Sequence, residues 1–179
     1  MAQYTHRYIS PLGDMIMSGD GEFLTDLHFD GSQNLSAARE KIYVADFAKK
    51  SHTVFELTDK WLDLYFSGCQ PNFTPPLIVK STPFRREVWE ILLTIPYGKT
   101  ITYGEIAQKI ARQRGLRRMS AQAVGNAVGR NPIALIIPCH RVIGTNGTLV
   151  GYAAGTEKKA ALLRLEQMGQ ERNLRLQNS

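Results

Sequence analysis

A cysteine stands between a proline and a histidine at Pro138-Cys139-His140, and an arginine, Arg141, follows at once. The apolar pair Ile136-Ile137 leads into this group and Val142-Ile143-Gly144 leads out of it. A free thiol titrates near pH ~8.5, so at neutrality most of it is unreactive. An adjacent imidazole can take the proton, and a nearby cation can hold the resulting thiolate. The triplet therefore carries the parts of an activated sulfur nucleophile. Pro138 biases Ile137 toward extended backbone. This places Cys139 at the end of a buried extended segment, not within a surface helix.

The scaffold that must present this group is bounded by size and charge. A chain of 179 residues can form one large or two small domains and bury a real core. No apolar run reaches membrane-spanning length, and the first residues carry no signal-peptide core. Two cysteines do not make a disulfide framework, so the cytoplasm is the expected compartment. Net charge is +6, unevenly spread: residues 1–80 carry seven Lys/Arg against ten Asp/Glu, and residues 81–179 carry fifteen against six. The half with Cys139 is thus strongly basic. A surface that attracts polyphosphate and an ordinary solvated basic face both fit that charge.

The charge shift follows a linker-like stretch, Gln70-Pro71-Asn72-Phe73-Thr74-Pro75-Pro76, so residues 1–78 and 79–179 are read as separate domains. In the first, Tyr4 to Ile9, Met15 to Ser18 and Phe23 to Phe29 read as strands. Phe23, Thr25, Leu27 and Phe29 alternate with a mostly polar set, Leu24, Asp26, His28 and Asp30. Ser18-Gly19-Asp20-Gly21 is turn chemistry. Val54 to Ser67 reads as an amphipathic helix ending near Gly68. His6, His28 and His52 show no metal-ligand spacing with Cys69, and neither a metal nor a cofactor is expected.

The second half reads as mostly helical. Thr82-Pro83 is a cap followed by proline at the first helical position. Phe84, Val88, Ile91, Leu92 and Ile95 then mark one buried face. Tyr103 to Ala111 and Ala121 to Arg130, the latter capped by Ser120, form a helix pair. Its connection, Arg112 to Arg118, includes Arg117 and Arg118, and the arrangement suggests a helix-turn-helix. The second helix is rich in small residues: Ala121, Ala123, Gly125, Ala127 and Gly129. Close packing on a neighbouring helix and a bare face for a nucleic-acid backbone both explain this. A last helix, Thr156 to Met168, carries Glu166 beside the apolar Leu162 and Leu163. An acid there is costly unless paired, although a surface position near the helix end remains open.

Asn131-Pro132, Ile137-Pro138-Cys139-His140-Arg141-Val142, Gly151-Tyr152 and Glu166 together resemble the O6-alkylguanine-DNA alkyltransferases, also called methylated-DNA–protein-cysteine methyltransferases. The resemblance is strong from about Thr82 to Glu166. It implies a ribonuclease H-like α/β domain, then a helix-turn-helix, winged-helix-like domain that both binds DNA and reacts. The implied reaction moves the alkyl group of O6-alkylguanine, with O4-alkylthymine as a further substrate, irreversibly onto Cys139. The implied partner is double-stranded DNA, bound by a monomer. His140 and Glu166 correspond to a cysteine–water–histidine–glutamate relay. Tyr103 corresponds to a tyrosine that contacts the target phosphate and donates to guanine N3, and Asn131 to one that orders the turn before the active site. Tyr152, followed by Ala153 where the family often has serine, corresponds to the loop that closes over the flipped base. The backbone at Cys139 and Val142 corresponds to the part that reads the base. On the same basis Ala123, Gly125, Arg130, Arg141, Arg117 and Arg118 are assigned to the DNA surface. The family's intercalating arginine falls on Gln122, which is shorter and uncharged.

Two other readings are kept beside this one. A lesion sensor would bind alkylated DNA without transfer, but such proteins lack the cysteine that is present here. A papain-like hydrolase needs an oxyanion hole and a histidine usually distant in sequence, which a Cys-His dipeptide fits poorly. Zinc on Cys139-His140 lacks further ligands.

Overall fold

The computed structural model describes residues 3–32 and 53–177; His52 lies outside them. Strands β1 (Tyr4–Ser10), β2 (Gly13–Gly19) and β3 (Leu24–Phe29) form an antiparallel sheet in the order β1-β2-β3. Met15 and Met17 on β2 are buried while Asp14, Ile16 and Ser18 are half-exposed, the period of two expected of a strand with one covered face. On β3 the expected alternation fails: Leu24, Asp26, Leu27 and Phe29 are all buried. The cause is that β3 is covered at its free edge as well. Leu24 N–H donates to Pro76 O at 2.8 Å, and Ile78 N–H returns to Leu24 O at 3.0 Å. Further along, Leu27 N–H donates to Pro132 O at 2.8 Å and accepts at its carbonyl from Ala134 N–H at 2.7 Å. The N-terminal sheet thereby grips the loop that leads to Cys139.

Helix α1 (Thr53–Phe66) buries Val54, Phe55, Thr58, Trp61, Leu62 and Tyr65, a three-and-four spacing that marks one face. It ends at Gly68, whose φ of +79° suits a residue without Cβ. Helix α2 (Pro83–Leu93) starts as its sequence signals: Thr82 Oγ1 accepts from Arg85 N–H, with proline at the first helical position. Trp89 joins Val88, Ile91 and Leu92 on the buried face and donates its indole N–H to Ala127 O at 2.9 Å.

A two-residue strand β4 (Ile101–Thr102) leads into α3 (Tyr103–Gln113), which opens with a reciprocal capping box between Thr102 and Glu105. After the arginine-rich connection comes α4 (Ala121–Gly129), capped by Ser120. β4 pairs in parallel with β5 (Val142–Ile143). The final helix, α5 (Thr156–Gln177), runs well past Met168, where the sequence reading ended it. Gly169 is no helix break here. A Cβ on it would lie 2.2 Å from Gly68 O, so glycine lets α5 press against the end of α1. One continuous apolar cluster joins Met15, Leu62, Leu92, Ile110, Val128, Ile137 and Leu162 from all these elements.

Candidate functional site

The segment before Cys139 is a series of turns, not the extended run expected from its apolar residues. Ile136 N–H donates to Ala134 O at 2.8 Å and Ile137 N–H to Ile133 O at 3.0 Å. Asn131 organises them: its Oδ1 accepts from Ile133 N–H at 3.0 Å and its Nδ2 donates to Ile137 O at 2.7 Å. Leu135 is held at φ +67°, a left-handed conformation that costs a side-chain-bearing residue about 1–2 kcal/mol. Full burial of its side chain offsets that cost. Cys139–Arg141 then forms a single 3-10 turn, with Cys139 N–H on Ile137 O at 2.8 Å and Arg141 N–H on Pro138 O at 3.0 Å.

Behind the cysteine lies a buried polar cage centred on Glu166. His140 Nε2 donates to Glu166 Oε1 at 2.7 Å, and both side chains are fully buried. Arg141 donates from Nε to Oε2 at 2.9 Å and from Nη2 to Oε1 at 3.0 Å, while its Nη1 reaches Ile95 O at 2.7 Å. Gly98 N–H adds a bond to Oε2 at 2.8 Å, and the Tyr65 hydroxyl, from α1, adds one to Oε1 at 2.9 Å. Burial alone would raise the Glu166 carboxyl. The hydrogen bonds of His140 and Arg141, with the Arg141 charge, outweigh it and hold the group at about 2. Burial lowers the His140 imidazole below its ordinary 6.5 against the pull of Glu166. The ring is therefore neutral at rest, protonated at Nε2, with Nδ1 free of any hydrogen-bond partner among the described residues. Arg141 is not available to DNA as the sequence reading had it: it is buried and spent on the carboxylate that orients His140.

Cys139 itself is buried, and burial raises its thiol above the ordinary value. The Asn131 side chain, by a hydrogen bond, and Lys159, by its charge, pull in the other direction. Lys159 is a buried cation whose charge acts on the Cys139 thiol, and the sequence did not expose it. It sits on α5 fully buried, its Nζ donating to Val150 O at 2.6 Å, and burial lowers it to about 8. In the sequence it belongs to Glu157-Lys158-Lys159, which reads as solvated surface. Only the turn of the helix shows that Lys159 points inward.

A cavity of about 260 Å³ opens beside Cys139 and is lined by Asn131, Tyr152, Ala153, Ala154 and Arg130. The Tyr152 hydroxyl is buried without a hydrogen-bond partner among the described residues. Tyr103 Oη lies within hydrogen-bond distance of Val150 O at 3.3 Å and Gly151 O at 3.4 Å. Tyr103 and Lys159 thus both hold the 150–151 loop at the mouth of the cavity. Val142 has a buried side chain, and its N–H is bonded to Cys139 O. On α4, Gln122 is exposed and Ala123 and Gly125 are half-exposed, and Arg130, which follows the helix as its C-cap, is exposed. Neither glycine of that helix is required by packing. A Cβ at Gly125 would make ordinary contact with the Tyr103 ring at 3.8 Å, and at Gly129 it would meet nothing within 4 Å. Arg117 and Arg118 are exposed in the connection before it.

Residues 83–168 match the family model described as 6-O-methylguanine DNA methyltransferase, DNA binding domain. A methylated-DNA–protein-cysteine methyltransferase of Methanosarcina acetivorans is 42% identical over 157 residues, covering 88% of this chain and 94% of that protein. The chain belongs to the methylated-DNA–protein-cysteine methyltransferase family. The O6-methylguanine methyltransferase of Mycobacterium tuberculosis superposes with a TM-score of 0.77 at 40% identity, over 93% of this chain and 94% of that one. The same mycobacterial protein in complex with DNA gives a TM-score of 0.75 at 36% identity, again over 93% and 94%. Within the Glu166 cage, Tyr65 alone falls outside the span matched by the family model.

Proposed function

We propose that this chain repairs DNA by direct reversal, taking the alkyl group of O6-alkylguanine onto Cys139 in a single irreversible transfer. The observation that carries this reading is the buried Cys139 turn backed by the His140–Glu166 pair and opening on a cavity beside a bare helix. The thiol proton passes to His140 Nδ1, through a water in the family-like relay, and Glu166 stabilises the imidazolium so formed. The sulfur attacks the alkyl carbon, an S–C bond forms, and the C–O6 bond breaks with its electron pair passing to the purine. Tyr103 is suited to donate toward guanine N3 as that charge develops. The base must leave the stack for this, and the cavity beside Cys139, lined by Tyr152 and Ala153, is its receptacle. A thioether has no leaving group to expel, so the protein is consumed.

In this reading residues 1–78 are a ribonuclease H-like sheet-and-helix domain. Residues 79–179 are a winged-helix-like domain with α4 on the DNA, where Gln122, Ala123, Gly125, Arg130, Arg117 and Arg118 face the duplex. The protein acts on double-stranded DNA as a monomer in the cytoplasm. Among the described residues no helix is long and apolar enough to cross a membrane. The test is a pair of substitutions. Cys139→Ser should abolish transfer of labelled methyl from O6-methylguanine duplex while retaining DNA affinity, and Cys69→Ser should change neither. Transfer that survives Cys139→Ser would refute the assignment.

A further inference from the structure

The carboxylate oxygen that His140 uses is shared with a residue from the N-terminal part of the chain. Tyr65 Oη donates to Glu166 Oε1 at 2.9 Å and lies 3.2 Å from His140 Nε2. Its ring is fully buried, stacked on Trp61 at 5.3 Å and edge-on to Tyr97 at 6.1 Å and His140 at 6.2 Å. The hydroxyl is the one polar group of the Tyr65 side chain. Burial, then the negative Glu166, keeps this phenol protonated well above its ordinary range, so it is a permanent donor.

We propose that Tyr65 is a positioning residue through which α1 sets the basicity of His140, by competing with the imidazole for Glu166 Oε1. The proposal rests on Cys139 being the nucleophile and His140 its base. Arg141 and Gly98 N–H hold Oε2, and Arg141 also reaches Oε1, so Glu166 stays ionised with or without Tyr65. What Tyr65 controls is how much of the Oε1 charge is left for His140 Nε2–H. Removing the phenol strengthens that bond, makes Nδ1 more basic and eases loss of the thiol proton. The groups facing Tyr65 are His140, Glu166, Arg141, Tyr97 and Tyr152; those facing Cys139 are Asn131, Lys159, Tyr103 and Tyr152.

The experiment is the pH profile of Cys139 alkylation by chloroacetamide, in the full chain carrying Cys69→Ser, together with the NMR signal of His140 Nε2–H. Tyr65→Phe keeps the ring packing and deletes the donor. The midpoint should fall by roughly half a unit to one unit, and the Nε2–H signal should move downfield. Glu166→Gln should move the midpoint the opposite way. A fluorinated tyrosine at position 65, a stronger donor, should raise the midpoint and decides the matter if Tyr65→Phe folds poorly. A midpoint that stays put or rises in Tyr65→Phe would overturn the proposal, as would an unmoved midpoint with fluorotyrosine. Alkylation needs no DNA. If the parent chain fails to take methyl from O6-methylguanine duplex, the repair reading fails, and the alkylation shift still decides the role of Tyr65.

Discussion

Cys139 is a thiol at rest, because its burial raises the thiol further than Asn131 and Lys159 lower it. In the proposed mechanism a proton must therefore be moved at the moment of attack, with His140 accepting it and Glu166, hydrogen-bonded to His140 at 2.7 Å, stabilising the imidazolium. Glu166→Gln should slow methyl transfer by at least about 10–100-fold, the loss that follows removal of the hydrogen-bond partner of a metal-bound histidine, with DNA affinity unchanged. The same substitution should alter acid stability in a defined direction. The Glu166 carboxyl is lowered from 4.5 to about 2, so its stabilisation is complete above about 4.5 and is lost as pH falls toward 2. The lowered His140 imidazole acts in the same direction, its contribution fading as pH drops below 6.5. Acid titration followed by circular dichroism should show a flatter loss of stability between pH ~5 and ~2 in Glu166→Gln. Cys139, His140 and Glu166 were legible in the sequence because the family motif and an acid on an apolar helix stripe both point to them. Arg141 was misread as a DNA contact, since adjacency to a nucleophile does not reveal which way a guanidinium turns. Lys159 and Tyr65 carried no local signal. One looks like a surface lysine and the other like a core tyrosine, and only tertiary packing brings each to the site.

The helices and strands were largely readable at the level of elements, since capping residues and apolar periodicity mark their ends. The loop from Asn131 to Pro138 was not. Its apolar residues read as a strand, and nothing in Leu135 announces a positive φ. The end of α5 was also hidden, because Gly169 reads as a stop until the contact with Gly68 shows its use. Gly169→Ala should destabilise the fold by about 1–3 kcal/mol, the range for overpacking a close contact, measurable as a lower denaturant midpoint with an unchanged slope. If the midpoint is unaffected, the α1–α5 approach is less tight than it stands here. Helix α4 makes the second prediction at this scale. Gln122 is exposed on it, and the resemblance assigns the family's intercalating arginine to this position. A flipped base leaves a gap whose stacking and pairing are worth a few kcal/mol, and arginine fills such a gap with more length, charge and donors. Gln122→Arg should raise the transfer rate on duplex DNA more than on free O6-methylguanine, as measured by paired single-turnover rates. Equal effects on both substrates would remove residue 122 from base flipping.

Across the described residues, the N-terminal sheet and α1 are built into the candidate site. β3 bonds to Pro132 and Ala134 in the loop that leads to Cys139, and α1 delivers Tyr65 to Glu166. The sequence showed a charge boundary near residue 80 and suggested two separable halves. It could not show that the core runs through both, because edge pairing by β3 depends on backbone groups that no residue type encodes. In the proposed reading Cys139 is the one sulfur that reacts, and the thioether it forms is not reversed. Intact-mass spectrometry after mixing with excess duplex containing O6-methylguanine tests that claim most directly. The expected result is a gain of a single methyl group per chain, mapped to the peptide containing Cys139, followed by complete loss of activity. Methyl transfer continuing well beyond one equivalent, or a methyl found on Cys69, would contradict it.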